Sequence, residues 1–306
     1  MKNYDAAVIG AGPAGLTAAL YLARFGLRPA LLEKLTPGGM LLQTFAIENY
    51  PGLGGVKGYA LADAMEAQLA PYAIDRYAGE VTAMEHAPGK NRLRIDEEWI
   101  ESRSVVICSG LKYRKLDLPL EDKFVGRGLS YCALCDGQFY KNKVVGVVGG
   151  GNAALEESVY LSSIVKELHL FHRRDEFRGA KIYVDKITGI PNIKIHYSSV
   201  LAALHGEDGL EGVTVRDLAG NRSEYMPLSG LFIFAGFQPT GAFFPDELKR
   251  DEDGFIITDT EMRTNLPGIF AAGDIRAKLC RQVATAVGDG ATAANSVYAF
   301  VEHGHV

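Results

Sequence analysis

The chain has 306 residues, 47% of them apolar and 23% charged, with a formal net charge of −5 and an isoelectric point near 5.8. That length favours two cores over one, and the composition excludes a disordered chain. The acidic balance without a basic stripe argues against a nucleic-acid partner, and no apolar run approaches the roughly 20 residues of a membrane span.

A buried strand is expected over residues 4–9, so close to the start that it leaves no room for a signal peptide. The expected location is therefore the cytoplasm, where thiols are kept reduced. The strand runs into Gly10-Ala11-Gly12-Pro13-Ala14-Gly15, then a helix over 16–25, then Gly26 and a second strand ending at Glu33. Strand, glycine turn, helix and strand in this order form a dinucleotide-binding βαβ unit. Gly10 permits the tight turn, Gly12 lets backbone approach a pyrophosphate at the helix N-terminus, and Gly15 lets helix and strand pack closely. Glu33 stands 23 residues past Gly10, where a carboxylate can accept hydrogen bonds from an unphosphorylated ribose, so this site suits FAD or NAD.

Residues 35–56 form a glycine-rich loop of a length that is usually functional. Leu61, Met65 and Leu69 mark an amphipathic helix. Residues 81–86, 92–96 and 99–101 alternate like a small antiparallel sheet, and the continuous apolar run 104–108 reads as a separate return strand of a parallel sheet. Cys108 within it is expected to be a core residue.

Near the middle lies Cys132-Ala133-Leu134-Cys135-Asp136-Gly137. Two cysteines separated by two residues can close a small disulfide ring and hold a low-pKa thiolate, and Asp136 is placed to move the accompanying proton. A zinc half-site would need further ligands, and the remaining cysteines, Cys108 and Cys280, are isolated, so no metal is expected. A purely structural ring of this size would constrain little of the unfolded chain. Redox catalysis by Cys132 and Cys135 is the expected role.

The βαβ pattern then repeats, with Gly10 mapping on Gly149, Gly12 on Gly151 and Gly15 on Ala154. Strands are expected over 143–148 and 167–171 and a helix from 155 to 163, with Asn152 at the turn. Where the first copy carries Glu33, the second carries His172-Arg173-Arg174, with Arg178 beyond. An acid repels a 2′-phosphate and forked guanidinium groups bind one, so the second site suits NADPH. A meander over 194–197, 212–216 and 223–226, an apolar strand over 231–234 and a linker over 236–241 follow. A short strand then ends at Gly273-Asp274. The last helix opens at Arg281-Gln282 with Ala284, Val287, Ala291, Ala294, Val297 and Val301 on its apolar side. Cys280 is expected to be a packed residue.

The ordered set of both glycine turns, Cys132-x-x-Cys135-Asp136-Gly137, His172-Arg173-Arg174-x-x-x-Arg178, Phe270-Ala271-Ala272-Gly273-Asp274 and Arg281-Gln282 resembles the low-molecular-weight thioredoxin reductases of bacterial type, across essentially the whole chain. The resemblance implies an α/β fold with two Rossmann-like, three-layer domains, an NADPH domain (114–245) carrying the disulfide being inserted into a discontinuous FAD domain (1–113 and 246–306). It implies an FAD site of Gly10, Gly12, Pro13, Ala14, Gly15, Glu33, Lys34, Gly38, Gly39, Met40, Leu41, Asn49, Gly110, Gly273, Asp274, Arg281, Gln282 and Val283. Its NADPH site comprises Gly149, Gly151, Asn152, Ala154, His172, Arg173, Arg174 and Arg178. It further implies a homodimer, and thioredoxin as the partner, with Arg127 as a contact. Met40 stands where the family usually has Gln, and Leu134 where it usually has Thr. A flavin-dependent dithiol oxidase or a ferredoxin-driven reductase of similar build would keep the cysteines but not need the phosphate-binding arginines.

Overall fold

In the computed structural model the described residues are 1–43, 47, 49–131, 133–239, 241 and 243–304, without the side chains of Gln43, Leu134, Cys135 and Phe237. The chain divides into two units, residues 1–112 with 238–306, and residues 113–237. In chain order the elements are β1 (Lys2–Ile9), α1 (Pro13–Arg24), β2 (Pro29–Glu33), α2 (Gly58–Ala67), β3 (Asp75–Ala78), β4 (Val81–Glu85), β5 (Asn91–Ile95), β6 (Glu98–Ile107) and β7 (Leu111–Tyr113). Then come α3 (Glu121–Phe124), β8 (Leu129–Ser130), α4 (Ala133–Asp136), β9 (Val144–Val148), α5 (Asn152–Ser162), β10 (Glu167–Phe171), α6 (Lys181–Thr188) and β11 (Ile193–His196). The chain ends with β12 (Ser199–His205), β13 (Gly212–Asp217), β14 (Arg222–Pro227), β15 (Gly230–Ile233), β16 (Phe237–Pro239), β17 (Ile269–Ala271) and α7 (Val283–His303).

The sheet of the first unit runs β3-β2-β1-β6-β5-β4, with β17 also on β6. Successive β1 side chains enter opposite cores. Ala6 and Val8 pack with α1 and α7, while Ala7 and Ile9 pack with β4, β5 and Ile256. The expected strands over 99–101 and 104–108 are one continuous strand, β6. Its first half pairs antiparallel with β5, its last three residues pair parallel with β17, and β1 lies along its other edge. The polar interruption does not break it because Ser102 Oγ donates to Ser104 O (2.7 Å) and Ser104 Oγ donates to Asp5 O (2.8 Å).

Helix α7 opens with a capping box between Gln282 and Thr285 and ends at Gly304. Its buried face is Ala286, Gly290, Ala293, Ala294, Ser296, Val297 and Val301, so the expected Ala294, Val297 and Val301 are buried, whereas Ala284 is exposed and Val287 and Ala291 are only half-buried. Small residues decide the difference. A Cβ at Gly290 would lie 2.3 Å from the Ala14 carbonyl oxygen, so α7 crosses α1 at a distance that only this face permits.

The second unit has a parallel sheet in the order β11-β10-β9-β15-β8. Helices α5 and α6 cover one face, and the antiparallel sheet β12-β13-β14 covers the other. The first strand of the expected meander, over 194–197, instead extends the parallel sheet by pairing with β10, and β12 takes its place. The short strands β3 and β8 had no signal in the sequence. The second crossing between units falls at 237/238, eight residues before the expected 245/246, because Phe243 and Phe244 pack in the first unit with Ile256 and Ile275. No helix among the described residues is long and apolar enough to cross a membrane.

Candidate functional site

Gly10, Gly110 and Gly273 lie close beyond the carboxyl ends of β1, β6 and β17, and Glu33 is the last residue of β2, at the edge where parallel α/β sheets bind nucleotides. Gly10 has φ +99°, and a Cβ there would lie 2.4 Å from the Cys108 carbonyl oxygen. A Cβ on Gly15 would sit 1.8 Å from the Gly10 carbonyl oxygen. Gly12, by contrast, faces open space at the N-terminus of α1, and no acidic side chain in that first turn competes for an anion. Gly15→Ala should therefore strip the protein of dinucleotide at this site, read as the flavin-to-protein absorbance ratio. Ala154→Gly, at the equivalent place in the second unit, removes a methyl group where a methyl group already fits. It should leave the flavin content near wild type, and a matched loss in both variants would contradict the packing argument.

Glu33 receives the Ala11 N–H on Oε2 (2.8 Å) and the Leu35 N–H on Oε1 (3.0 Å), which fixes the acid beside the glycine turn with acceptor capacity to spare. Lys34 points to the surface and pairs with Glu80 at 3.3 Å. The next loop folds back on the turn: Gly38 N–H donates to Ala11 O (2.8 Å), and a Cβ on Gly39 would lie 3.3 Å from Gly12 Cα. Met40 follows in a short 3-10 turn, half-buried. Leu41 and Val283 share an apolar cluster with Ile47 and Leu61, and Asn49 Nδ2 donates to Gln282 Oε1 at 2.9 Å.

Asp274 lies just past β17. Its Oδ1 is buried without a hydrogen-bond partner among the described residues, and Lys278 Nζ stands 3.6 Å away. Burial pushes this carboxyl above its ordinary range, with Lys278 and Arg281 pulling the other way. Arg281 is fixed by its Nε to Asp274 O (3.4 Å), its Nη2 to Arg276 O (3.2 Å) and the Phe255 ring, 4.0 Å from its guanidinium carbon. An orphaned buried acceptor, an open helix N-terminus and a ribose-type acid together fit a dinucleotide rich in hydroxyl groups. Burial holds the free Cys108 thiol far above its ordinary range, as a core residue requires. Cys280 is exposed rather than packed, because it sits in the loop ahead of α7 beside the fully exposed Leu279.

In the second unit the glycine turn is built the same way. Gly151 caps α5 with an extended backbone and faces open space. Ala154 brings its Cβ against Gly149, which adopts φ +154° where Gly10 has +99°. The arginine loop is tied to this turn: the Arg178 and Gly179 N–H groups donate to Gly150 O (2.9 and 3.1 Å), and Ala180 N–H donates to Asn152 Oδ1 (2.6 Å). Arg173, Arg174 and Arg178 are exposed and form no ion pair among the described residues. His172 differs from them. It is 5% exposed, its ring lies under Gly150, and its Nε2–H donates to Glu176 O at 3.0 Å. Burial, then the neighbouring arginines, lower its pKa, so it supports the turn as a neutral ring.

Cys132 and the side chain of Cys135 lie outside the described residues; their surroundings do not. Helix α4 is seated by Ala133, fully buried with Leu155 and Leu161 of α5. Tyr131, immediately before Cys132, donates its hydroxyl to the buried Glu121 at 2.6 Å, and Glu121 also receives the Leu116 and Leu118 N–H groups. Asp136 closes α4 and is near enough to Tyr140 to raise its phenol, after burial itself. Arg127 is exposed, as is Val125, and Phe139, four residues past Cys135, is 72% exposed.

The sequence matches the pyridine nucleotide-disulphide oxidoreductase family over residues 4–290. The chain belongs to that family. This oxidoreductase is 37% identical over 302 residues to a thioredoxin reductase of Listeria monocytogenes, covering 98% of this chain and 95% of the relative. The thioredoxin reductase of Lactococcus lactis in its FR conformation superposes with a TM-score of 0.94 at 39% identity, covering 97% of this chain and 99% of that one. A ferredoxin-flavin thioredoxin reductase from Clostridium acetobutylicum is more distant, with a TM-score of 0.55 at 27% identity over 99% and 98% of the two chains.

Sequence reading missed Arg276, Lys278 and Asp289 of this oxidoreductase. Arg276 Nη1 and Lys278 Nζ both reach Asp289 at 2.9 Å, and Asp289 Oδ2 receives the Gly273 N–H at 3.0 Å. Two signals were available: a lysine four residues after Asp274, and a charged residue between two glycines inside an otherwise small and apolar helix.

Proposed function

We propose that the protein is an NADPH-dependent thioredoxin-disulfide reductase that binds FAD in the first unit and NADPH in the second and delivers electrons through the Cys132/Cys135 disulfide to thioredoxin or a similar small dithiol protein. One observation carries the choice of donor: three exposed arginines, without an ion pair among the described residues, gather beside a glycine turn whose twin in the first unit faces an acid. A dithiol oxidase or a ferredoxin-driven enzyme has no use for that phosphate site.

When bound, FAD supplies a two-electron carrier between the nicotinamide and the disulfide. The chain's own residues do the rest. The N-terminus of α1 and Gly12 receive the pyrophosphate, Glu33 accepts from the adenosine ribose, and Asp274 Oδ1 accepts from the hydroxyl-bearing chain. Gly149, Gly151, Asn152 and Ala154 form the second pyrophosphate turn, and Arg173, Arg174 and Arg178 clasp the 2′-phosphate. Asp136 donates a proton as the disulfide opens, and a cysteine thiolate then attacks the partner's disulfide. Val125, Arg127 and Phe139 are each exposed and available to that partner. A cytoplasmic homodimer completes the reading.

The test is direct. Purified yellow protein mixed with NADPH and disulfide-form thioredoxin should oxidise one NADPH for each thioredoxin disulfide reduced, yielding two thiols per NADPH. NADPH consumption that depends on oxygen, or thiol formation only with reduced ferredoxin, would replace this reading with one of the alternatives.

A further inference from the structure

The charged cluster beneath residues 273–274 is absent from the sequence reading and unused by the proposed chemistry. Lys278 and Asp289 side chains are only 10% and 12% exposed, and Arg276 is equally enclosed. Asp289 uses both carboxylate oxygens. Oδ1 receives Arg276 Nη1 at 2.9 Å, while Oδ2 receives Lys278 Nζ at 2.9 Å and the Gly273 N–H at 3.0 Å. Lys278 makes a further bond to Thr285 Oγ1 at 3.3 Å. Held from the α7 side in this way, its ammonium makes only a loose ion pair with Asp274 Oδ1 at 3.6 Å, and that oxygen is buried without a hydrogen-bond partner among the described residues.

We propose that Asp289 is a positioning residue for flavin binding: by holding Lys278 and the Gly273 N–H, it keeps Asp274 Oδ1 free to accept from a ligand hydroxyl. The inference rests on the FAD site proposed above. A buried ammonium deprived of Asp289 has one carboxylate left within reach, and the strength of a charge-assisted bond drives it onto Asp274. The acceptor is then consumed before FAD arrives. An amide at position 289 cannot substitute. Turned one way it offers a donor to Lys278 and Gly273, and turned the other way a donor to Arg276, so one side always faces donor to donor.

Arg276 does not share this role, because its Nε holds Thr258 Oγ1 at 2.7 Å and its Nη2 reaches Asp259 O at 3.4 Å, which anchor it elsewhere. The charged groups facing Asp274 are Lys278 and Arg281 from the segment that follows it and Asp289 from α7. Burial raises the Asp274 carboxyl and the two cations oppose that shift. FAD retention that depends on an ionised Asp274 is therefore complete above its pKa in the FAD-free protein and is lost as pH falls through it. Removing the Lys278 charge raises that pKa further, so the loss should begin at higher pH.

The experiment follows FAD release from the holoprotein by flavin fluorescence, across pH, in three variants. Asp289→Asn should weaken FAD binding about tenfold or more. Adding Lys278→Met to it should restore most of the affinity, since no ammonium remains to occupy Asp274. Lys278→Met alone should retain FAD at alkaline pH and shift half-release to higher pH than wild type. A residue that merely supports the fold would give a double variant at least as poor as Asp289→Asn. That result, or unchanged affinity in Asp289→Asn, overturns the proposal. Should Asp289→Asn not fold, the double variant decides: FAD affinity close to that of Lys278→Met supports the proposal, and affinity well below it overturns it. If wild-type protein binds no FAD, the site assignment itself falls instead.

Discussion

Cys132→Ser and Cys135→Ser should each reduce thioredoxin turnover to background while NADPH still bleaches the bound flavin. Reduction of a protein disulfide by a dithiol needs two sulfurs in sequence. One thiolate attacks a sulfur of the partner's disulfide and expels its other sulfur as a thiolate. The second cysteine then attacks the mixed disulfide, closing Cys132 to Cys135 and releasing the partner as a dithiol. Two electrons and two protons must return to the closed pair before the next cycle, with Asp136 as a proton source. With serine at either position no intramolecular disulfide can form, so a mixed disulfide, if it forms, is a dead end. Reduction of the flavin precedes every one of these steps and involves neither sulfur. Anaerobic mixing with NADPH, followed at the flavin absorbance, separates the two halves of the reaction. Multiple thioredoxin turnovers in either variant would mean that the electrons leave by another route.

The parts of the fold and site legible in the sequence were those whose physics is local. Gly10, Gly12 and Gly15 stand between a strand and a helix at a spacing that a dinucleotide turn requires, and the structure gives each the environment its role predicts: crowded at Gly10 and Gly15, open at Gly12. The exposed arginines beside the second turn were legible because their charge contrasts with Glu33 at the matching place. Ser102 and Ser104 split strand β6 in the sequence pattern, and long-range context is what satisfies the second of them: the Ser104 hydroxyl finds Asp5 O, 99 residues away. His172 was grouped with its arginine neighbours because sequence cannot tell a ring under a glycine turn from one above it. Asn49 and Gln282, 233 residues apart, and the Asp289 cluster meet only through the crossing of α7 over α1. The first pairing has no spacing that a sequence could display, and the second leaves only the Asp274–Lys278 interval and a lone charge between Gly288 and Gly290 as its trace.

The double change Arg173→Ala with Arg174→Ala should raise the KM for NADPH by about 30- to 150-fold, the usual worth of lost charge-assisted hydrogen bonds to a phosphate. Both side chains are exposed, and their backbones are fixed independently of the guanidinium groups: Ser198 N–H holds Arg174 O at 2.9 Å, and the neighbouring turn is held by Arg178 and Gly179 on Gly150. The variant should therefore keep its fold and its FAD, and the loss should appear in KM rather than kcat, as expected when ground state and transition state lose the same contact. NADH has no 2′-phosphate to lose, so its weak use should change little, and the preference for NADPH should shrink by the same factor. Raising the salt concentration should narrow the gap between wild type and variant, because exposed guanidinium–phosphate contacts are screened. If wild-type protein used both coenzymes equally well, or if the variant lost NADPH and NADH to the same degree, the arginines would not be reading the phosphate.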